Sequence, residues 1–143
     1  MFMGTSQNSI DAKSRMIIPS KYRDELGYNC ILTKGIDKCL YIYSIPEWEK
    51  FMERLSALPT TDINSRQFIR HFYANANDCE IDKQGRIVIP QVLREYAGIE
   101  KDLVTIGVRD KIEIWSKAEW DKAENGTQLE PGEIAQRMME YGI

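Results

Sequence analysis

Two short polar segments of the sequence place an arginine four residues after an aspartate. Asp11 precedes Arg15 in the first segment, and Asp82 precedes Arg86 in the second. A carboxylate at the start of a turn can accept hydrogen bonds from the amides of that turn, which would hold the arginine in a fixed direction. The planar guanidinium group fits a phosphate or, in the major groove of DNA, the O6 and N7 atoms of guanine. Both segments are therefore candidate nucleic-acid contacts.

The same two segments contain lysines that could contact phosphate and small residues that affect the geometry of the turn. Lys13 and Lys83 bring point charges that suit phosphate contacts. Gly85 permits a positive φ angle and would help the second turn to orient its arginine. Ser14 stands at the equivalent place in the first segment, where a left-handed conformation costs more, so the geometry of the first loop stays open. The residues that we predict to orient the loops are Asp11, Asp82 and Gly85.

A purely structural interpretation competes with binding. The aspartate and arginine of each segment could pair only with each other and stabilise a turn, because surface ion pairs are common and weak. For one isolated segment this interpretation would be preferred. The recurrence of the pattern strengthens the binding interpretation without excluding the structural one.

The two segments belong to an internal repeat. Residues 10–19 align with residues 81–90, and both stretches end in three apolar residues and a proline. Residues 41–48 align in the same order with residues 113–120, which share a serine followed by Glu-Trp. Two ordered matches in nearly the same register indicate a duplicated unit.

Each copy contains the same predicted series of elements, β-α-β-β-α. A short apolar strand, at residues 16–18 or 87–89, follows the polar turn. A proline then suits the first turn of a helix that ends at a glycine. The predicted boundaries of these helices are Pro19 and Gly27, and Pro90 and Gly98. Two strands that could form a hairpin follow, at 31–33 and 40–43 and again at 103–105 and 112–115.

A second helix follows each hairpin and begins with a capping box, in which a serine precedes a glutamate by three residues. The capping pairs are Ser44 with Glu47 and Ser116 with Glu119. Trp48 and Trp120 lie in the first turns of these helices, and we predict that they pack in the core rather than stack on bases.

Two further helices are predicted outside the repeated series. A linking helix covers residues 62–76, and a last amphipathic helix covers residues 131–141, with Ile134 and Met138 facing inward. The predicted organisation is a first repeat at residues 1–58, a linking segment at 59–76 and a second repeat with the C-terminal helix at 77–143. We expect the strands of both copies to complete one shared core, with the two arginine-bearing turns on one edge.

Composition and charge restrict the class of protein. The hydrophobic fraction of 43% and the charged fraction of 29% are those of a globular protein without a membrane span. The N-terminus lacks the pattern of an export signal, so a cytoplasmic location is expected. The net charge of −3 argues mildly against nucleic-acid binding, although residues 12–23 carry basic residues and no acidic one.

The residue types do not favour an enzyme or a metal site. The three cysteines have no C-x-x-C spacing and are predicted to be reduced, mostly buried thiols. His71, the only histidine, is interpreted as a packed side chain. The sequence contains no phosphate loop, nucleophile motif or dinucleotide fingerprint, and we predict no catalytic residue, metal, cofactor or small-molecule substrate.

The paired Asp-to-Arg motif, the opening Met3-Gly4 and the Tyr-Ile-Tyr-Ser and Glu-Ile-Trp-Ser signatures resemble the MraZ family over nearly the whole chain. The resemblance implies an α+β fold of two pseudo-symmetric AbrB-like units, of the swapped-hairpin or double-split β-barrel type, with helices packed around them. It also implies a transcriptional regulator, associated with the nucleoid, at the promoter of the division and cell-wall gene cluster. Double-stranded DNA with direct repeats would be bound by a ring-shaped homo-oligomer. The DNA contacts carried over are Lys13, Arg15, Lys83 and Arg86.

Two other functions remain as alternatives. An AbrB-like antitoxin would bind a partner protein and repress its own operon; a flexible acidic tail would be expected, whereas residues 131–141 are predicted to fold. In a purely structural assembly protein, Arg15 and Arg86 would contact other subunits, and replacing them would disrupt the assembly.

Overall fold

Strands and helices alternate along the chain in an order that occurs twice. The computed structural model describes residues 1–126 and 130–142. The elements of the first half are β1 (Thr5–Ser9), β2 (Arg15–Ile17), α1 (Ser20–Leu26), β3 (Asn29–Lys34), β4 (Leu40–Ser44), α2 (Ile45–Ser56) and α3 (Ile63–Tyr73). Those of the second half are β5 (Asn77–Glu80), β6 (Arg86–Val88), α4 (Gln91–Ala97), β7 (Asp102–Gly107), β8 (Ile112–Ser116), α5 (Lys117–Asn125) and α6 (Pro131–Met138), followed by a short 3₁₀ turn. The predicted mixed α+β class is confirmed.

All strands pair in antiparallel fashion across the two halves. A six-stranded sheet has the order β1-β7-β8-β4-β3-β5, and β2 pairs with β6 in a separate two-stranded ribbon. The first strand of each half thus lies beside the hairpin of the other half, β1 against β7 and β5 against β3. Because each half supplies a strand to the sheet of the other, the two repeats share one folded unit.

β1 and β5 were not predicted from the sequence. Their sequences, Thr-Ser-Gln-Asn-Ser and Asn-Asp-Cys-Glu, lack the apolar alternation that identifies a half-buried strand. Both are edge strands of the six-stranded sheet, where only one side must be paired and polar side chains remain in contact with solvent. The backbone hydrogen bonds of a distant hairpin, rather than the local pattern, make these segments extended.

The sheet separates two apolar clusters. Successive side chains of a strand point to opposite faces, so Leu40 and Ile42 of β4 join one cluster, and Tyr41 and Tyr43 join the other. The first cluster is covered by the ribbon and by α1 and α4. The second packs under α2, α3 and α5, where Phe72 is fully buried. The ribbon therefore lies on the outside of the first cluster.

Most predicted helix boundaries are confirmed. Both serines of the capping boxes accept a hydrogen bond from the glutamate amide three residues later, at 3.4 Å for Ser44 and 3.0 Å for Ser116. Gly27 and Gly98 end α1 and α4 as predicted. The prolines before these helices occupy the capping position, one residue ahead of the predicted first turn.

The predicted packed side chains also lie against the core. Trp48 and Trp120 are half-buried against the second cluster. His71 contacts the carbonyl oxygen of Gly35 through Nε2 at 2.8 Å. The three cysteines are buried free thiols, as expected, and desolvation raises the pKa of Cys39 well above the usual range of a thiol. No helix within the described ranges is both long and apolar enough to span a membrane.

The C-terminal helix forms, but its predicted burial is wrong. Ile134 and Met138 of α6 are 38% and 37% exposed, and none of the helix residues is buried. Amphipathic spacing is a local property of the sequence, whereas burial needs an element to pack against. Within the described part of the chain, no such element covers α6.

Candidate nucleic-acid interface

The first polar segment is a loop held together by one carboxylate. Oδ1 of Asp11 accepts hydrogen bonds from the backbone amides of Lys13 and Arg15, both at 2.9 Å. Oδ2 accepts a third from Nε of Arg15 at 2.8 Å. A backbone hydrogen bond from Asp11 to the carbonyl oxygen of Arg15, also at 2.9 Å, closes the loop. Asp11 thus fixes both the backbone and the guanidinium group.

The second loop repeats this arrangement atom for atom. Oδ1 of Asp82 accepts from the amides of Gln84 and Arg86 at 2.9 and 2.8 Å, and Oδ2 accepts from Nε of Arg86 at 2.8 Å. The amide of Asp82 donates to the carbonyl oxygen of Arg86 at 2.9 Å. The two aspartates thus make equivalent hydrogen bonds in the two loops.

The residue before each arginine adopts a left-handed conformation. The φ angle is 79° at Gly85 and 62° at Ser14. In both loops the amide of this residue donates to the carbonyl oxygen of the aspartate, at 2.9 and 3.0 Å respectively. Ser14 therefore forms the same turn as Gly85 despite its side chain, and the two loops share one backbone geometry.

Hydrogen bonding favours the ionised form of both carboxylates. The backbone amide of Arg15 lowers the pKa of Asp11 below its usual value, and the Arg15 side chain and the Lys13 amide add to this effect. The amide of Arg86 does the same for the pKa of Asp82. The ion pair uses only Nε, so the two terminal amino groups of each arginine are left for another ligand: among the described residues, neither group makes a side-chain hydrogen bond.

The ribbon brings the two arginines onto one face. Arg15 lies opposite Val88, and Ile17 lies opposite Arg86. Because side chains alternate along a strand, these four residues share the outer face, while Met16 and Ile87 point into the core. Each arginine side chain is 26% exposed. The two arginines are diagonal neighbours, which in an antiparallel pair lie roughly 7 to 8 Å apart and somewhat closer between their Cβ atoms.

The two loops enter this ribbon from opposite ends, which corrects the prediction that they share one edge. The strands β2 and β6 are antiparallel, and each loop precedes its own strand. The amide of Ile18 donates to the carbonyl oxygen of Gly85 at 2.8 Å, and that of Ile89 to Ser14 at 2.9 Å, so each strand continues along the opposite loop. A single chain therefore presents a nearly twofold-symmetric surface.

The two predicted lysines are not at equivalent positions of the repeat. Lys13 and Lys83 are both exposed in their loops. In the second loop, Gln84 occupies the position of Lys13 and donates the equivalent backbone hydrogen bond. Lys83 occupies the position that Ala12 has in the first loop. The two ends of the ribbon consequently place their positive charge at different positions.

A second pair of equivalent arginines supports the loops, and the sequence analysis missed it. Nε of Arg23 in α1 donates to the carbonyl oxygen of Ile18 at 2.9 Å, and Arg94 in α4 donates to that of Ile89. A Cβ atom at Gly85 would come within 2.3 Å of Cζ of Arg23, so this guanidinium group packs directly on the second loop. The alignment of the repeats, extended by four residues, matches Arg23 with Arg94 and could have identified the pair.

Comparison with known proteins gives a consistent result over the whole chain. The family model described as "MraZ protein, putative antitoxin-like" matches twice, at residues 1–71 and 72–140. A protein named transcriptional regulator MraZ from Acetivibrio thermocellus is 50% identical over 143 residues, which cover all of both chains. Proteins of the same name from Clostridium acetobutylicum and Clostridium tetani are 49% and 50% identical over the same full length.

Proposed function

Since the chain belongs to the MraZ family of transcriptional regulators, we propose that it recognises specific sequences in double-stranded DNA through the outer face of the β2–β6 ribbon. Arg15 and Arg86 enter the major groove and bind guanine bases. The observation that carries this proposal is the repeated loop, in which a carboxylate holds Nε and leaves both terminal amino groups of the arginine available.

The geometry of the ribbon supports this assignment. The major groove of B-form DNA admits a two-stranded β-ribbon, and two parallel N–H donors of arginine match O6 and N7 of guanine. An arginine that is already oriented loses less conformational freedom on binding than a mobile one. The structural interpretation of the loops is compatible with this role, because the ion pair that stabilises each turn also aims the guanidinium group.

Lys13 and Lys83 are proposed to contact phosphates beside the groove. Both side chains are exposed at the ends of the ribbon, and an ammonium group binds phosphate without reading the base sequence. Asp11, Asp82 and Gly85 are proposed to orient the loops.

The pairing of strands supports an AbrB-like relation. Exchange of β1 and β5 between the halves, together with the β2–β6 pair, is what two interlocked swapped-hairpin units would produce. We retain residues 1–58, 59–76 and 77–143 as the proposed division into first repeat, linking segment and second repeat.

We further propose that a homo-oligomer, ring-shaped as the resemblance implies, binds direct repeats at the promoter of the division and cell-wall gene cluster, with the protein in the cytoplasm at the nucleoid. One chain offers two base-reading arginines and has a net charge of −3. When one chain of an oligomer is bound to DNA, the other chains are held near the remaining repeats. Their effective concentration at those repeats is therefore raised. The exposed apolar side chains of α3, Ile63 and Tyr73, are available for contacts between copies.

The proposal is tested by gel shifts with the promoter upstream of the protein's own gene, at several salt concentrations. A sequence preference together with a steep loss of affinity with salt identifies specific binding rather than nonspecific adhesion. Arg15→Ala and Arg86→Ala should each weaken binding about five- to 150-fold, since one guanine contact contributes about 1 to 3 kcal/mol.

Arg137→Ala is the matched control, because this exposed arginine lies on α6, outside both the ribbon and α3. It should leave affinity nearly unchanged. Size-exclusion chromatography of each variant separates weaker DNA recognition from failure to assemble. Unchanged binding in both single variants and in the double variant would refute the proposal, and a dissociated Arg15→Ala protein would favour subunit contacts instead.

An antitoxin-type repressor is the second candidate. The exposed apolar side chains Ile134 and Met138 of α6 favour it, because an antitoxin needs a surface for its partner. Replacing both with serine should abolish neutralisation of a partner toxin if this function is correct. Unchanged DNA binding in that variant is expected under either function.

A further inference from the structure

Two exposed aliphatic residues share the outer face of the ribbon with the two arginines. Ile17 is 51% exposed and Val88 is 57% exposed, although each is in a strand whose middle residue is buried. Ile17 lies directly opposite Arg86, and Val88 lies directly opposite Arg15. An aliphatic side chain therefore accompanies each base-reading arginine.

We infer that Ile17 and Val88 read thymine by contacting its C5-methyl group in the major groove. This inference rests on the DNA binding proposed above. Thymine is the base that presents a methyl group in that groove, and apolar side chains are its usual partners. Directly opposite residues have Cβ atoms roughly 4.5 to 5.5 Å apart, and stacked base pairs are about 3.4 Å apart. The thymine is accordingly expected within one or two base pairs of the guanine read by the opposite arginine.

The charge around these side chains favours DNA over a second protein. Arg15 and Arg86 flank them on the ribbon, and Lys13 and Lys83 lie in the loops at its ends. The carboxylates of the two loops already accept three hydrogen bonds each from their own loop. Two apolar side chains that alternate with cations complement the major groove, which is bordered by phosphates and exposes the methyl groups of thymine.

The test uses the promoter fragment prepared with thymidine or with deoxyuridine, which lacks only the C5-methyl group. The full-length protein should bind the uracil fragment about fourfold more weakly for each thymine methyl group that the ribbon reads, since burial of one methyl-sized group contributes that factor. The double variant Ile17→Ala/Val88→Ala should bind the thymidine fragment more weakly. It should show little further loss with uracil.

Ile36→Ala is the control, because Ile36 is exposed but lies in the connection between β3 and β4. It should respond to uracil as the parent protein does. If uracil also alters DNA shape, the weaker binding will persist in the Ile17→Ala/Val88→Ala variant, and that result would overturn the inference.

Other outcomes separate this inference from the proposed function. If the parent protein binds the promoter specifically and tolerates uracil without loss, thymine reading is refuted while the proposed function stands. If it binds no promoter DNA, both fail. If the double variant dissociates on a sizing column and retains full sensitivity to uracil, Ile17 and Val88 contact another copy of the chain, and thymine reading is refuted. A parent protein that tolerates uracil refutes thymine reading without any variant, so the inference can be overturned even if the alanine substitutions destabilise the ribbon.

Discussion

Two residues of different type build the same left-handed turn in the two loops. A left-handed conformation costs an L-residue with a side chain about 1 to 2 kcal/mol, a cost that glycine avoids. At Gly85 an added Cβ would also displace the guanidinium group of Arg23 from the loop. The second loop therefore depends on its glycine more than the first depends on Ser14.

We predict that Gly85→Ala lowers the free energy of unfolding by at least about 1 to 2 kcal/mol. Ser14→Gly should change it by less than about 1 kcal/mol, because relief of strain is offset by the greater flexibility of glycine in the unfolded chain. Urea denaturation of both variants measures the difference. Equal effects at the two positions would contradict this account of the loops.

We propose that the carboxylate of Asp82 acts on DNA binding through the loop that it holds. Its pKa is lowered in the folded protein, from an ordinary value of 3.8, chiefly by the Arg86 amide. A lowered pKa stabilises the folded loop at pH values above 3.8, and this contribution is lost as the pH falls through the folded-state pKa. From about pH 5 to about pH 8 the loop should therefore not change.

Asp82→Asn should weaken promoter binding even though it removes a negative charge, because an amide holds the Arg86 guanidinium group less firmly than a carboxylate does. Fluorescence anisotropy at constant ionic strength measures this effect. Asp121→Asn removes the same charge from an exposed position of α5, which packs on the other face of the sheet from the ribbon, and should leave affinity equal or slightly higher. Stronger binding by Asp82→Asn would show that charge, not orientation, dominates.

At the scale of elements, the exchange of strands determines what can fold alone. A fragment of residues 1–74 keeps β1 to α3 but lacks β7, the partner of β1, and β5, a partner of β3. The ribbon strand β2 would also be without β6. The first apolar cluster would be open, since its residues come from both halves.

We predict that fragments 1–74 and 75–143 do not fold as monomers. Each should be unfolded or should pair with a second copy of itself, and mixing the two should restore the spectrum of the intact chain. Circular dichroism and analytical ultracentrifugation test this outcome. A fragment that unfolds cooperatively as a monomer would contradict the interlocked arrangement.

At the scale of the whole molecule, the proposed binding ribbon is short, so we expect selectivity to need several copies. Promoter fragments with two or more repeats should bind about 100-fold more tightly than a fragment with one repeat. Moving one repeat by about half a helical turn, roughly five base pairs, should remove this gain by turning the second site away. Equal affinity for single and repeated sites would refute cooperative binding by an oligomer.

The sequence alone determined the features whose interactions are local. The Asp11 and Asp82 loops and the capping serines were predicted because each hydrogen bond joins residues close in the chain. The internal duplication was visible because each repeated motif is a contiguous pattern. The family resemblance was visible for the same reason, since its motif is a contiguous pattern.

Only the tertiary structure decided which distant residues meet. The polar edge strands β1 and β5, the packing of Arg23 on Gly85 and the exposed face of α6 depend on neighbours many residues away. The pairing of β2 with β6 likewise places Arg15 and Arg86 on one face. A short sequence pattern specifies a turn through its own hydrogen bonds, but a shared surface arises only when the chain brings two such turns together.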